Sequence, residues 1–549
     1  MKQLVFACML ILTITACSYG QNKIFFGNAP SSKAAQKVDI AITAIENLYV
    51  DKLNSNKLAE DAIIGLLEKL DPHSNYMTPE EVKEMNEPLQ GNFDGIGIQF
   101  NMLTDTLYVV QVIPGGPSEK VGILTGDRII QVNDTLIAGV KIKNTDVMSR
   151  LRGPKGTTVN VKVLRNREPK LLNFKIIRDK IPIYSLDASY MVDKTTGYIK
   201  LNRFSATTHD EFKGALDKLV KQGMQNLILD LQGNGGGYLG AAIEISNEFL
   251  KQGALIVYTE GVHQKRENAL ATNKSDMQNG RLVVLVDESS ASASEIVSGA
   301  IQDWDRGVIV GRRTFGKGLV QRPVPLPDGS MIRLTTARYY TPTGRSIQKP
   351  YENGNQESYN KDLIDRYNRG EMISADSIHF PDSLKFSTLV DKRTVYGGGG
   401  IMPDYFVPVD TIRWSTLLRE LNSNGITYKY TTQLIDAKRT AYKKQYPAFE
   451  DFNKKFVVTN QMMNDLMALY KKDTTENKDE RLTEDRIAKD LVRSGSIIKA
   501  QIKALVARDI FGESEYHQVL NTEIAEAYNK AIEIISNEAV YNKLLSGKN

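Results

Sequence analysis

Apolar positions recur at helical spacing at both ends of the chain and fall into short unbroken runs through its middle. Val38, Ala41, Ile42, Ile45 and Tyr49 mark one helix face, and Leu58, Ala62, Ile63, Leu66, Leu67 and Leu70 a second. Leu70-Asp71-Pro72-His73-Ser74 ends the second helix and Pro79-Glu80-Glu81 starts a third, so residues 35–90 are predicted to be helical. Residues 91–180 are short strand-like runs cut by Gly and Pro. In residues 181–410, strand patterns at Gly197 to Leu201, Leu227 to Leu231, Val283 to Val286 and Val308 to Val310 alternate with helical stretches at Asp210 to Lys221 and Glu295 to Ile301. That order predicts an α/β layer with parallel strands. The polar residues 351–395 read as an insertion or long loop, with a tight turn after them at Gly397 to Gly400 and Pro403. Residues 411–549 read as helical throughout, with a charged linker at 473–485; packing or oligomerisation is their expected role.

Composition narrows the class. The chain has 549 residues, 41% hydrophobic and 25% charged, which fits a globular protein of about three or four domains. A net charge of +5, from 70 Lys and Arg against 65 Asp and Glu, does not suggest nucleic acid. Past the N-terminus there is no apolar run long enough for a membrane span. At the N-terminus, Lys2 precedes an apolar segment from Leu4 to Ile14, which reads as a secretory signal over residues 1–16. Ile14-Thr15-Ala16-Cys17 resembles a bacterial lipobox, so Cys17 is the expected lipidation site and residues 17–34 a tether. The predicted location is the bacterial cell envelope, lipid-anchored and facing the periplasm. Cys8 would leave with the signal, so no disulfide is expected.

Candidate chemistry gathers between Leu282 and Gln321. Ser292 falls where a buried strand turns into a helix, which would place a hydroxyl beside free backbone N–H groups able to hold an oxyanion. Ser290 and Ser294 compete with it on pattern alone, although Ser294 and Glu295 suit the first turn of the following helix as caps. Lys317, 25 residues on, could act as the base that a serine requires. Gln321 lies four residues beyond it, a spacing that keeps the two on one side of a strand or a helix. To work as a base Lys317 must be neutral. Lowering a lysine from about 10.4 to roughly 7–8 represents on the order of 4 kcal/mol, for which Phe315 and Leu319 are the local apolar candidates. The glycines at 235–237 lack the Lys-Ser/Thr of a phosphate loop, so oxyanion donation suits them better. His73, at a helix end, reads as a capping or packing residue. No Cys/His cluster suggests zinc, and no cofactor is expected.

Residues 91–180 resemble a PDZ domain, through Gly95-Ile96-Gly97-Ile98, Ile113-Pro114-Gly115-Gly116-Pro117 and Gly126-Asp127. The resemblance implies that Gly95, Ile96, Gly97 and Ile98 hold the carboxylate of a protein C-terminus. From about residue 36 to 410 the chain resembles the carboxyl-terminal processing proteases, the S41 serine peptidases. The motifs are Leu70 to Ser74, Leu229 to Gly237, Ser290 to Glu295, Gly311 to Gly318, Leu334 to Pro342 and Gly344 to Gln348, in that order. The resemblance implies a crotonase-like α/β core at 181–410 with an inserted PDZ domain, an N-terminal helical segment at 35–90 and a C-terminal helical extension at 411–549. It implies Ser292 as nucleophile, Lys317 as general base and Gln321 as its orienting partner. The oxyanion hole would come from Ala293 with Gly236 or Gly237. Arg152 would couple the PDZ domain to the active site, and the substrates would be C-terminal tails of exported proteins. A homo-oligomer or an adaptor could assemble through the C-terminal helices. Gln232 and Gly235 depart from the family's usual Arg and Pro. Two other readings remain at this point, a catalytically silent PDZ scaffold and, from the core fold alone, an acyl-CoA enzyme.

Overall fold

The computed structural model describes residues 32–103, 105–165, 168–272, 275, 277–473 and 482–547. The expected signal, Cys17, most of the tether and most of the charged linker lie outside them. Residues up to Leu70 form one unit and those from Asp71 onward another. In the first, helices Lys33–Leu48 and Ser55–Leu67 begin at Ser32 and Asn54, whose side chains accept from Ala35 N at 3.1 Å and Lys57 N at 3.2 Å.

Helix Pro79–Gln90 opens the second unit's helices. The hydroxyl of Thr78 accepts from Glu81 N, and the Glu81 carboxylate accepts from Thr78 N, satisfying two end groups at once. The expectation that residues 35–90 are all helical fails between the helices. Asn75–Met77 is a strand, paired antiparallel with Met331–Tyr340. Asp71 causes this by accepting from His73 N at 2.9 Å, Ser74 Oγ at 2.6 Å and Thr335 Oγ1 at 2.8 Å, which ties the segment to that strand.

The next module is a five-strand path, Ile98–Leu103, Thr106–Val112, Arg128–Val132, Thr158–Leu164 and Leu172–Ile177, antiparallel throughout. Thr158–Leu164 alternates exposed and buried positions, the period of a half-buried strand. Ile98–Leu103 is the sheet's edge, and helix Asn144–Leu151 belongs to the same module. Strand Asn92–Gly95 pairs with Asp179–Pro182 where the module joins the core.

The core sheet runs Leu186–Met191, Thr196–Leu201, Asn226–Asp230, Leu282–Val286, Val308–Gly311, Tyr405–Phe406. Only its first pair is antiparallel, as the alternation of strands and helices predicts. Asn226–Asp230 and Leu282–Val286 are buried at every position because both faces of the sheet are covered. Leu227, Leu229, Leu282, Val284 and Val286 face helices Thr208–Lys221, Leu239–Asn247 and Ala293–Asp303. Ile228, Val283, Leu285, Val308 and Val310 face Ala527, Tyr528, Ala531, Ile534, Ile535 and Tyr541, from helices Glu526–Ser536 and Glu538–Ser546. The last two helices of the chain thus close the core sheet. The preceding six, from Thr416–Ser423 to Glu513–Ile524, build a core of their own around Leu466, Tyr470, Ile498 and Ile502. Asp436 of helix Ile426–Gln445 reaches the PDZ-like module, accepting from Tyr108 Oη at 2.8 Å and Arg128 Nη2 at 2.6 Å.

A second, antiparallel sheet was not expected. Met331–Tyr340 pairs with Asn75–Met77, Leu255–Gly261 and Leu319–Pro325, and Gln264–Leu270 lies outside Leu255–Gly261. Residues 351–395 are not a loop either. They hold helix Gln356–Asn368 and the hairpin Lys385–Ser387/Thr394–Tyr396. Their charges mislead because three of them, Arg366, Glu371 and Arg393, are buried. Arg366 donates to the carbonyls of Thr314 and Arg313, and Arg393 pairs with Asp305 and Asp404.

Ile535→Ala, at a fully buried position on the sheet, should cost about 2–5 kcal/mol of stability, measured by denaturant unfolding. Deleting residues 526–547 should yield insoluble protein, because it bares the apolar face of the central strands.

Candidate active site

Strand Leu282–Val286 ends in a tight turn, and helix Ala293–Asp303 starts one residue after Ser292. Ser292 has φ 54° and ψ −110°, a left-handed backbone that a non-glycine residue holds at a cost of about 1–3 kcal/mol. The three candidate serines separate clearly. Ser290 and Ser294 are fully buried. Ser290 Oγ donates to Leu231 O and Ser294 Oγ to Asn234 O, each at 2.8 Å. Ser294 is therefore not the cap that its position suggested; its hydroxyl anchors the glycine loop. Ser292 faces a cavity of about 900 Å³.

Glu295 holds the turn. Its carboxylate has no exposed surface and accepts four hydrogen bonds: Ser292 N at 2.8 Å, Thr314 Oγ1 at 2.6 Å, Gly316 N at 2.7 Å and Lys317 N at 2.9 Å. Burial pushes its pKa up to about 7, against those four bonds, which pull it down. One side chain thus clamps the serine turn to the Lys317 loop.

The loop 232–237 lies on the other side of Ser292. Asn234, fully buried, donates to Leu201 O and accepts Gly236 N at 2.9 Å on its side chain, while its carbonyl accepts Ala291 N at 3.0 Å. A Cβ on Gly236 would lie 2.7 Å from Ala291 O, and one on Gly237 1.9 Å from Phe204 O, so only glycine fits this approach. Gly236 N is taken by Asn234, whereas the N–H groups of Gly235, Gly237 and Ala293 have no acceptor among the described residues.

Lys317 lines the same cavity, with Leu319, Ile296 and Tyr339 around it. Its carbonyl accepts from Tyr339 Oη. Burial, and next the charge of Arg333, lower its pKa to about 8. Leu319 is part of this apolar surround, as expected. Phe315 is not; its ring packs away from the cavity, edge-on to Tyr359 with the Lys349 ammonium 4.1 Å from its centroid. Gln321 also lines the cavity, but the spacing argument for it fails. Lys317 precedes strand Leu319–Pro325, and the pairing register slips between Val320 and Gln321. Gln321 donates weakly to Leu319 O and Thr335 Oγ1 and accepts from Arg333 Nη2 at 3.2 Å.

His73 sits behind the base loop. Its Nε2 lies 2.8 Å from Tyr359 Oη, and burial followed by the Lys317 charge lowers its pKa to about 4. It is a packing residue, as read from the sequence. Arg333, Tyr339, Asn234 and Tyr359 were missed. Asn234 and Tyr339 stood in noticed motifs; Arg333 and Tyr359 reach the site through strand pairing and the 351–395 segment, which carry no local signal.

In the PDZ-like module, Gly95 ends a strand, Ile96 is buried and Ile98 begins the edge strand. Ile96 O accepts from Ser118 N and Oγ, and Gly97 O from Ile113 N, which fixes the loop. Arg152 caps helix Asn144–Leu151, lies over the Phe93 ring and pairs with Glu87 at 2.5 Å. Glu87 belongs to helix Pro79–Gln90, whose Met85, Asn86, Pro88 and Leu89 line the cavity.

Family models match four stretches: Peptidase family S41 at residues 195–354, a PDZ domain at 95–176, the activating protease CtpB N-terminal domain at 18–81, and a family of unknown function at 417–512. The carboxy-terminal-processing protease of Bartonella bacilliformis is 37% identical over 309 residues, 55% of this chain and 70% of that one. The carboxy-terminal processing protease CtpB of Bacillus subtilis is 36% identical over 322 residues, 58% of this chain and 66% of its own. Among solved structures, the photosystem II D1 C-terminal processing protease is similar over 58% of this chain and 91% of its own, at 29% identity and a TM-score of 0.34.

Glu295→Ala would strand three backbone N–H groups and a hydroxyl. A stability loss of about 3 kcal/mol in denaturant unfolding is the expected result.

Proposed function

The chain belongs to peptidase family S41, and on that premise we propose that it is a Ser–Lys endopeptidase that takes protein C-terminal tails on its PDZ domain and cleaves exported proteins in the bacterial cell envelope. One observation carries the reading. Of three neighbouring serines, the one whose hydroxyl is not bonded to the Leu231 or Asn234 carbonyl shares a cavity with a lysine whose pKa is lowered to about 8. The acyl-CoA alternative lapses with the family assignment, and no feature favours the silent scaffold.

In this reading Ser292 Oγ attacks the scissile carbonyl carbon as neutral Lys317 takes its proton. The developing oxyanion is met by the N–H groups of Ala293 and Gly237, rather than Gly236, whose N–H holds Asn234. Lys317 passes its proton to the leaving amine. Water then hydrolyses the acyl-enzyme, with the same lysine as base. Gln321 serves by holding Arg333, the charge that most disfavours protonated Lys317. A substrate tail adds as a strand beside Ile98–Leu103, its carboxylate on the N–H groups of the Gly95 to Ile98 loop. Arg152, through Glu87, links that groove to the helix lining the cavity. Export and a lipid on Cys17 rest on residues 2–17 of the sequence alone.

Ser292→Ala and Lys317→Ala should each slow cleavage of an unstructured tailed protein by at least about a thousandfold. A Lys317→Ala protein that still cleaves overturns the dyad. Because the base works neutral, kcat/KM should rise about tenfold per pH unit below pH 8 and level off above it.

A further inference from the structure

A guanidinium withdrawn from water needs acceptors for its five N–H groups and a countercharge. Buried arginines elsewhere in this protein have either a carboxylate partner or several neutral acceptors. Arg345 pairs with Asp303, Arg313 with Glu371, and Arg393 with Asp305 and Asp404. Arg178, which has no carboxylate, donates to the carbonyls of Arg150, Leu151 and Thr158 and to the hydroxyl of Thr157.

Arg333 is half-buried and lacks such partners. It stands on strand Met331–Tyr340 and faces the catalytic cavity, two residues from Met331, which faces it too. Its hydrogen bond is one of 3.2 Å to Gln321 Oε1, and among the described residues no carboxylate pairs with it. Burial pulls its pKa below the usual arginine value, and no countercharge opposes the shift. Arg203, on the segment after strand Thr196–Leu201, lines the same cavity. It donates from Nε to Asn202 Oδ1 at 2.7 Å and likewise has no carboxylate partner among the described residues. The cavity lining carries three cations, Lys317, Arg203 and Arg333, and no Asp or Glu, against a largely apolar wall that includes Met85, Leu239 and Ile296.

We propose that Arg333 and Arg203 form a carboxylate-binding subsite within the catalytic cavity, so that the substrate segment seated there brings the missing negative charge. The carboxylate is either an acidic side chain beside the scissile bond or the free terminus of a short peptide. The inference rests on the peptidase reading and adds to it a specificity separate from the PDZ groove. Open guanidinium donors match a carboxylate's two oxygens, and the apolar wall raises the strength of the pair. Depressing the Lys317 pKa is a second effect of Arg333; it needs the charge but not the open donors.

The test uses the purified full chain and one peptide core in three forms: both ends blocked with Glu beside the cleaved bond, the same with Gln, and the Gln form with a free C-terminal acid. Each is measured for cleavage with the wild type, Arg333→Gln, Arg333→Lys and Arg203→Gln. Each is also measured for binding by the Ser292→Ala protein with and without Arg333→Gln. The subsite predicts that one of the carboxylate forms is preferred over the blocked Gln form by about tenfold in kcat/KM, chiefly through KM. Arg333→Gln erases the preference, while Arg333→Lys and Arg203→Gln keep part of it. Which form is preferred identifies the carboxylate's source. Equal cleavage of the three forms by the wild type, or a preference that survives Arg333→Gln, overturns the proposal. If no peptide is cleaved, the peptidase reading fails, and the binding arm still decides the subsite: equal binding of the three forms by Ser292→Ala refutes it.

Discussion

Four donors converge on one buried carboxylate, Glu295, and the site depends on that convergence. Three of them come from the segment Thr314 to Lys317, and one from Ser292. A carboxylate at full burial is unfavourable by several kcal/mol unless its lone pairs are met, so the donors cannot drift apart independently. This coupling holds Ser292 in its left-handed backbone, which the turn alone would not favour. It also fixes two segments that are adjacent in no local sense, joined only through the strand and helix between them. The serine turn is braced a second time from the glycine loop, through Asn234 O and the hydroxyl of Ser294.

The two sheets divide the work. The parallel sheet, dry on both faces, sets the serine and glycine turns at the ends of its central strands, where a rigid backbone holds donors in place. The antiparallel sheet supplies the wall: Leu319, Gln321 and Pro323 from one strand, and Met331 and Arg333 from its partner. Its charges and apolar surface tune the lysine, while the parallel sheet does the positioning. The PDZ module touches both the cavity-lining helix, through Arg152 and Glu87, and the C-terminal helices, through Asp436. Its placement is therefore set from two sides.

Much of this was legible in the chain. Unbroken apolar runs gave the parallel strands because a strand covered on both faces needs no polar positions. The glycines at 236 and 237 stood out, and the contacts explain them. What stayed hidden was non-local. Strand Asn75–Met77 is too short to show a period and exists only because Asp71 binds Thr335. Residues 351–395 looked solvated because Arg366 and Arg393 are charged, yet their partners lie far off in sequence. Choosing Ser292 from its neighbours needed to know where the hydroxyls of Ser290 and Ser294 point, which no spacing reveals. The Gln321 register argument failed on a bulge, a feature that pattern counting does not see.

The closing of the core sheet by helices Glu526–Ser536 and Glu538–Ser546 bears on when this protein becomes an enzyme. A ribosome making about 5–20 residues per second takes on the order of tens of seconds to pass from strand Leu282–Val286 to those helices. Throughout that interval Ile228, Val283 and Leu285 have nothing to cover them, and the strands that carry the serine turn are not held. Hydrolytic competence therefore waits for helices Glu526–Ser536 and Glu538–Ser546 to be made. Until then the growing chain, still extended and easily threaded into a protease, is better suited to be cut than to cut.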